Sequence, residues 1–393
     1  MPLPDHQLRV TMVNKYYWPP HLGGVETHLR DISEGLVEHA GAQVQAIVCN
    51  ESRECVEETI DGVDVLRLPR QFALSSAPVA LAMPRVLATN ARQPEPPDVM
   101  ELHFPYPWGE LSFLRAKPDV PSVVLYHSDI VRQKRMLAAY RPFLERFLDS
   151  VDLIIASSPN MIEHSEFLSP RAEKCRQVNF GLHVERVAGD EATRARAAEL
   201  RAQHAGRKIV LFVGRLIYYK GADVLVRAMG NVDADLVMIG SGPLESELRA
   251  IAVANGAAPR ITWLSPVDEA ELAAWYHAAD VFALPSVARS EAFGLVQIEA
   301  HAAGTPVVST QLTTGVPYAN LDGVTGLTVP VGDAMALAGA IDRLLADDEL
   351  RARLGAQARE RALSDFTIPR MVEGTLEVYA EAIDLHAAKR GRV

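Results

Sequence analysis

Apolar positions recur along this chain in two alternating rhythms. Runs such as Lys208-Ile-Val-Leu-Phe-Val213 and Asp280-Val-Phe-Ala-Leu284 are apolar on successive residues, the pattern of strands buried on both faces. Between them lie longer stretches with apolar residues at helical spacing. In the first half the pattern predicts strands over 8–13, 43–48, 63–68, 99–103, 122–127 and 153–156, with a first helix over about 25–38. Residues 185–207 then become rich in Arg, Ala and Glu and lose strand character. The alternation resumes with strands over 208–213, 236–239, 261–264, 281–284, 307–308 and 326–330, followed by helices over 334–346 and 348–363. A last amphipathic segment runs over about 368–388. The repeated βα order predicts an α/β protein with two doubly wound, mostly parallel sheets. The first domain is expected over 1–184, a linker region over 185–207 and the second domain over 208–365; 393 residues suit two such cores.

Charge and composition narrow the class. Lys and Arg number 39 against 50 Asp and Glu, a net charge of −11 that argues against a nucleic-acid partner. Cys49, Cys55 and Cys175 are odd in number and lack metal-ligand spacing, which fits free thiols in a reducing compartment. The opening residues carry no apolar signal core, and no stretch approaches the ~18 consecutive apolar residues of a membrane span. The expectation is a cytoplasmic protein. Peripheral contact at the inner face of the cell membrane is suggested by Arg132, Lys134, Arg135, Arg141 and Arg146 on a helix predicted over 131–149, although a solvated helix face explains the same residues.

Ligands of doubly wound sheets bind beyond the carboxyl ends of the strands. The first strand leads into N-K-Y-Y-W-P-P-H-L-G-G-V-E, which puts Gly23 and Gly24 at a helix start where backbone can approach a ligand closely. Two later strands end in His103 and His127, and the loop Phe104-Pro-Tyr106-Pro-Trp108 between them offers aromatics for stacking on a sugar or for packing. In the second half Arg215 and Lys220 follow the first strand, and two cations converging there can neutralise a diphosphate. The richest stretch is S-V-A-R-S-E-A-F-G-L-V-Q-I-E-A-H-A-A-G-T-P, from Ser286 to Pro306. It predicts a loop and a helix over 294–303, whose first amides favour an anion. Glu291 and Glu299 bracket that helix start with seven residues between them. Carboxylates beside an anion site suggest a second task, such as holding sugar hydroxyls.

The paired Glu within S-E-A-F-G-L-V-Q-I-E-A, with R-L-I-Y-Y-K-G after one strand and G-S-G-P-L-E after the next, resembles retaining GT-B glycosyltransferases of the family-4 type (glycosyl transferases group 1). H-F-P-Y-P-W, Y-H-S-D-I-V-R-Q-K, S-S-P-N and F-V-G-R-L-I-Y-Y-K-G are similar to segments of bacterial O-antigen and polysaccharide alpha-mannosyltransferases that use GDP-mannose. Tyr218-Tyr219 before Lys220 departs from the commonest family pattern and is shared with that subgroup. The resemblance implies two Rossmann-like domains facing a central cleft, the first reading the acceptor and the second the nucleotide sugar. It also implies a C-terminal helix, within 366–393, that crosses back to the first domain.

Residue by residue, the resemblance implies Gly23 and Gly24 beside the donor diphosphate and Arg215 and Lys220 gripping its oxygens. Backbone N–H groups near Phe293, Gly294 and Leu295 would complete the phosphate cradle. Glu291 would hold hydroxyls of the transferred sugar, Glu299 those of the ribose, and His127 would sit close to the reacting sugar. Glu269 would accept the N–H edge of guanine. The implied donor is GDP-mannose, or a UDP-sugar, and the implied acceptor a glycan, lipid-linked or small-molecule hydroxyl. No cofactor and no metal are required on this reading. Asp233-Ala-Asp235 matches the bare Asp-x-Asp of metal-dependent transferases, but it precedes a strand instead of following one and reads as a loop.

The sequence also bears on mechanism. Glycosidases need two carboxyls ~5–9.5 Å apart, whereas eight positions along a helix rise ~12 Å. If Glu291 and Glu299 share one helical segment they cannot form such a pair, and no nucleophile–base dyad is evident. The expectation is front-face transfer with retention, the departing diphosphate taking the acceptor's proton. A nucleotide-sugar epimerase, a phosphorylase and a non-catalytic nucleotide-sugar sensor are the competing readings. An epimerase would turn over nucleotide sugar without an acceptor, and nothing marks the cofactor-anchoring lysine of a phosphorylase.

Overall fold

The computed structural model describes residues 6–20, 23–74, 77–130 and 134–391. The chain divides into two compact units, Met1–Leu182 with Ile368–Val393, and His183–Thr367.

In the first unit the strands are β1 (Arg9–Val13), β2 (Gln43–Cys49), β3 (Val56–Ile60), β4 (Val63–Leu68), a small hairpin of β5 (Phe72–Leu74) and β6 (Ala77–Val79), β7 (Val99–Phe104), β8 (Ser122–Tyr126), β9 (Leu153–Ala156) and β10 (Cys175–Gln177). The eight-stranded sheet has the order β10-β9-β8-β7-β1-β2-β4-β3, parallel throughout except for β3 against β4. Its centre is apolar on both faces because helices cover both. Val13, for example, pairs with Ile47 on one side and Leu102 on the other. The helix Gly24–Ala40 turns Leu29, Ile32 and Leu36, spaced three and four apart, into one core. The C-terminal helix Ile368–Arg390 lays Met371, Val372, Val378 and Tyr379 into that same core, so the end of the chain belongs to the first unit.

Three features of this unit differ from expectation. β3 escapes the apolar pattern because it is an edge strand, V-E-E-T-I, whose middle residues face solvent. The hairpin and β10 are three residues per strand, too short for periodicity to register. The helix expected over 131–149 is described from Lys134 to Ser150; its expected first residues, with Arg132, lie outside the described residues, as do the side chains of Lys134 and Arg135. On that helix Arg141 is already engaged, 2.7 Å from Glu145 and 3.4 Å from Glu166. Among the described residues no helix is long and apolar enough to cross a membrane.

The second unit holds β11 (Ile209–Val213), β12 (Asp235–Ile239), β13 (Ile261–Leu264), β14 (Val281–Leu284), β15 (Val307–Thr310) and β16 (Gly326–Val329), all parallel in the order β13-β12-β11-β14-β15-β16. Alternate residues of β11 enter different cores, Val210 and Phe212 one, Ile209, Leu211 and Val213 the other. This is why the strand reads as an unbroken apolar run. Residues 185–207 are not a free linker. They form the helices Val184–Ala188 and Glu191–Ala202 of this unit, and the units divide between Leu182 and His183. Only a narrow stripe of the second helix is apolar, with Ala197 and Leu200 packed into the core of Trp275 and Ala278. Its charged remainder is a solvent face rather than a sign of irregular chain.

Strand order reverses between β1 and β7 in one sheet and between β11 and β14 in the other. The carboxyl ends of strands beside such a reversal are where ligands bind.

Candidate functional site

In the second unit the chain leaves β11 through Arg215 and makes a single 3-10 turn, Tyr218–Lys220. Gly221 follows in the left-handed region at φ 64°, and a Cβ there would collide with the Pro285 carbonyl oxygen just past β14. Only glycine lets these two strand ends meet so closely. The approach carries the buried Lys220 to the loop after β14, where its Nζ lies 2.6 Å from Oε2 of the equally buried Glu291. Ser286 Oγ donates to the same oxygen at 2.9 Å, and Thr310 Oγ1 fixes Ser286 by donating to its carbonyl at 2.6 Å. The two tyrosines of the Y-Y-K-G segment bind this arrangement together. Tyr219 OH accepts from Arg215 Nη2 at 3.2 Å, with the Lys220 ammonium 5.8 Å from the centre of its ring. Tyr218 OH and Ser290 Oγ are hydrogen-bonded at 2.9 Å, joining the cationic loop to the acidic one.

The helix of this site opens at Leu295, capped by Gly294 at φ 74°. Glu291 therefore stands outside the helix, and the separation deduced from helical rise does not apply to the pair. Phe293 is buried against Tyr318 and Phe366, and its carbonyl accepts from Gln297 Nε2 at 2.7 Å. A phosphate there would meet backbone N–H groups at the positive end of the helix. Glu299, one turn further in, accepts from Tyr276 OH at 2.5 Å. Burial raises the Glu299 carboxyl above its ordinary range, against Tyr276, with the Glu269 charge raising it further and Lys220 opposing. Glu269 itself is exposed at the first turn of the helix Glu269–Ala278, which carries Tyr276, and lies 3.5 Å from Arg186. Lys220, Glu291, Glu299 and Glu269 thus belong to one electrostatic neighbourhood, with Arg215 held at its edge by Tyr219.

Asp233 and Asp235 lie elsewhere. Asp235 begins β12, at the opposite end of the parallel sheet from Lys220, and both carboxylates are held by Arg207 at 2.8 and 2.7 Å.

In the first unit Gly23 caps the helix Gly24–Ala40, and both glycines are exposed. The first turn carries the buried Glu26, 3.5 Å from Lys15. His127 follows β8 and is buried beside two more imidazoles. Its Nε2 is 3.1 Å from His103 Nδ1, and the ring of His28 meets it edge-on at 5.3 Å. Phe180 closes the group, 4.8 Å from His28 and 6.1 Å from His127 between ring centres. Burial, then the neighbouring His103, push His28 down to about 3. Burial, His103, His28 and Lys15 hold His127 far below the ordinary histidine range. His28 and His127 are therefore neutral rings at neutral pH. The aromatic loop beside it is packed: Tyr106 OH donates to Pro78 O at 3.1 Å, Trp108 Nε1 to Ala80 O at 2.8 Å, and Phe104 stacks on Tyr126 at 4.3 Å.

Two family descriptions match in tandem. The glycosyl transferase 4-like domain spans residues 23–181, and glycosyl transferases group 1 spans 197–361. The O-antigen chain mannosyltransferase C of Escherichia coli is 31% identical over 377 residues, 96% of this chain and 99% of the relative. The chain belongs to the GT-B glycosyltransferases of the family-4 type. The D-rhamnosyltransferase WbpZ of Pseudomonas aeruginosa is 37% identical over 274 residues, covering 69% of this chain and 70% of its own. In fold, the sucrose-phosphate synthase of Thermosynechococcus elongatus superposes with a TM-score of 0.78 at 24% identity, covering 96% of this chain and 100% of that one.

Sequence reasoning about this glycosyltransferase missed several partners of the family residues. Ser286 had a signal, since it opens the same loop as Glu291. Tyr276, His28, Glu101 and Tyr379 had none, because each sits on the inner face of an ordinary helix or strand.

Proposed function

We propose that this glycosyltransferase moves mannose from GDP-mannose to a hydroxyl of a glycan, lipid-linked or small-molecule acceptor, with retention and without a protein nucleophile. The observation that carries the reading is the buried Lys220–Glu291 pair at the switch point of the second sheet, 2.6 Å apart. An arriving diphosphate competes with Glu291 for Lys220 and adds Arg215 and the Leu295 helix start, so leaving-group charge is neutralised as it develops. Glu291 already takes both Lys220 and Ser286 on one oxygen. A carboxylate held that way is suited to accepting sugar hydroxyls rather than attacking carbon. In the proposed step the bond from the sugar's anomeric carbon to the diphosphate oxygen breaks. The acceptor oxygen bonds to that carbon on the same face, and its proton passes to the departing diphosphate. His127, neutral in its nest, meets the transferred sugar; Glu299 and Glu269 take ribose and guanine, and Gly23 and Gly24 admit the diphosphate. Mannose and guanosine rest on the O-antigen-type motifs and on the mannosyltransferase relative. No metal or cofactor enters the proposed step. The protein works in the cytoplasm, with the exposed Arg146 helix face available to the inner membrane surface.

Titrating the purified protein with GDP-mannose, UDP-glucose and UDP-GlcNAc, with and without a divalent metal, tests this. Tight, metal-independent binding of GDP-mannose is expected. A preference for uridine nucleotides overturns the donor, and no nucleotide binding overturns the reading as a whole.

A further inference from the structure

The imidazole nest is anchored from behind. Glu101 and His103 are two apart on β7 and so share a face, each 1% exposed. Glu101 Oε2 accepts from Tyr379 OH at 2.9 Å, a bond reaching across 278 residues from the C-terminal helix. Its other oxygen lies 3.0 Å from His103 Nε2, and these two buried atoms face each other without another hydrogen-bond partner or an aligned bond between them. A carboxylate buried this deeply needs donors. A lone pair on His103 Nε2 would face carboxylate charge at 3.0 Å and be repelled, whereas a proton there would be attracted to it. When Nε2 holds the ring's single proton, His103 Nδ1 is an acceptor, and the atom beside it is His127 Nε2 at 3.1 Å.

We propose that Glu101 and His103, steadied by Tyr379, are positioning residues that fix His127 as its Nε2–H tautomer and leave its Nδ1 as an unprotonated acceptor. A ring's free nitrogen is decided by the hydrogen bond its other nitrogen makes. The groups facing His127 all disfavour a second proton: His103 from β7, His28 from the helix Gly24–Ala40 and Lys15 from the loop after β1. The consequence for transfer rests on the reading that His127 meets the sugar. A sugar hydroxyl must then donate to Nδ1, which makes His127 a hydroxyl acceptor and leaves it no proton to deliver.

The test uses full-length protein labelled with 15N-histidine. Long-range 1H–15N correlation at pH 7 is expected to show His127 and His103 protonated at Nε2; a protonated Nδ1 on His127 overturns the proposal. Two variants separate positioning from packing. His103→Asn keeps an oxygen acceptor near the place of Nδ1, whereas His103→Leu keeps bulk alone. His103→Leu is expected to lower kcat about ten- to a hundredfold, the loss usual when a group orienting another ligating imidazole is removed. His103→Asn should restore most of kcat, with donor KM within about twofold in both, because ground-state binding is untouched. Equal loss in both variants marks a packing role and overturns the proposal. If the tautomer is as assigned but His127→Ala transfers normally, the sugar contact fails while the tautomer stands.

Discussion

In the first unit three imidazoles are crowded together and burial keeps His28 and His127 neutral, whereas in the second an ammonium and a carboxylate are buried 2.6 Å apart as an ion pair. The difference lies in what surrounds each group. His28 and His127 face His103, Phe180 and each other, so a proton added to either meets rings, while the one carboxylate beside the nest, Glu101, lies 3.0 Å from His103. Lys220 and Glu291 each supply the other's counterion, with Ser286 as an extra donor. Neutral imidazoles can orient hydroxyls but cannot attract charge. The ion pair does the reverse, since it trades one anion for another. On the proposed reading, holding a sugar and neutralising a leaving group fall to these two differently built groups.

The sharpest way to break that contrast is Glu291→Ala. Transfer is expected to fall about a hundred- to a thousandfold, while calorimetry finds nucleotide binding largely intact; transfer that survives would remove Glu291 from the site. Stability gives the next effect. Lys220→Met leaves Glu291 buried without its cation and is expected to cost about 3–5 kcal/mol in denaturant unfolding. Adding Glu291→Leu should recover much of that loss without recovering activity. If the single change costs nothing, the pair is not the buried ion pair described here.

Acid probes the buried imidazoles. His28 lies near 3 in the folded chain and near ~6.5 unfolded, so the unfolded state binds more protons between those values. Its contribution is full above about pH 6.5 and is lost as pH falls toward 3, about 2 kcal/mol by pH 5. His301, buried in the second unit and also near 3, adds a parallel term. His28→Gln should flatten the fall of unfolding free energy between pH 7 and 5 by part of its slope; an unchanged slope would mean that His28 is not buried neutral. A smaller effect is expected from Tyr219→Phe, which frees Arg215 from its 3.2 Å partner. Loss of one hydrogen bond, about 1 kcal/mol, corresponds to roughly fivefold in donor KM with kcat little changed. Steady-state kinetics over a donor series would show it. Least of all should come from Asp233→Ala, since Asp233 is an exposed partner of Arg207 far from the switch point. Transfer rates with and without divalent metal should match the parent, and a metal-dependent loss would return the Asp-x-Asp reading to the table.

Much of this was legible without coordinates, and the exceptions have physical causes. The strand ends carrying Arg215, Lys220, Glu291 and Glu299 could be read because a parallel sheet sends every carboxyl end to one edge. Glycine and proline also mark where each strand stops. The pairing of Lys220 with Glu291 could not be read, because the two lie 71 positions apart and meet only through the tight contact of Gly221 with Pro285. The helices within 185–207 were hidden because a helix that buries only Ala197 and Leu200 looks like solvated chain.

By itself the sequence determined the two βα alternations, the buried strands and the family motifs, since each is written in local periodicity or contiguous residues. Tertiary structure alone decided which groups became partners: Tyr276 for Glu299, Ser286 and Lys220 for Glu291, and Tyr379 for Glu101. Burial made those choices, because a polar group taken out of water must find its donor or acceptor wherever the packed chain brings one.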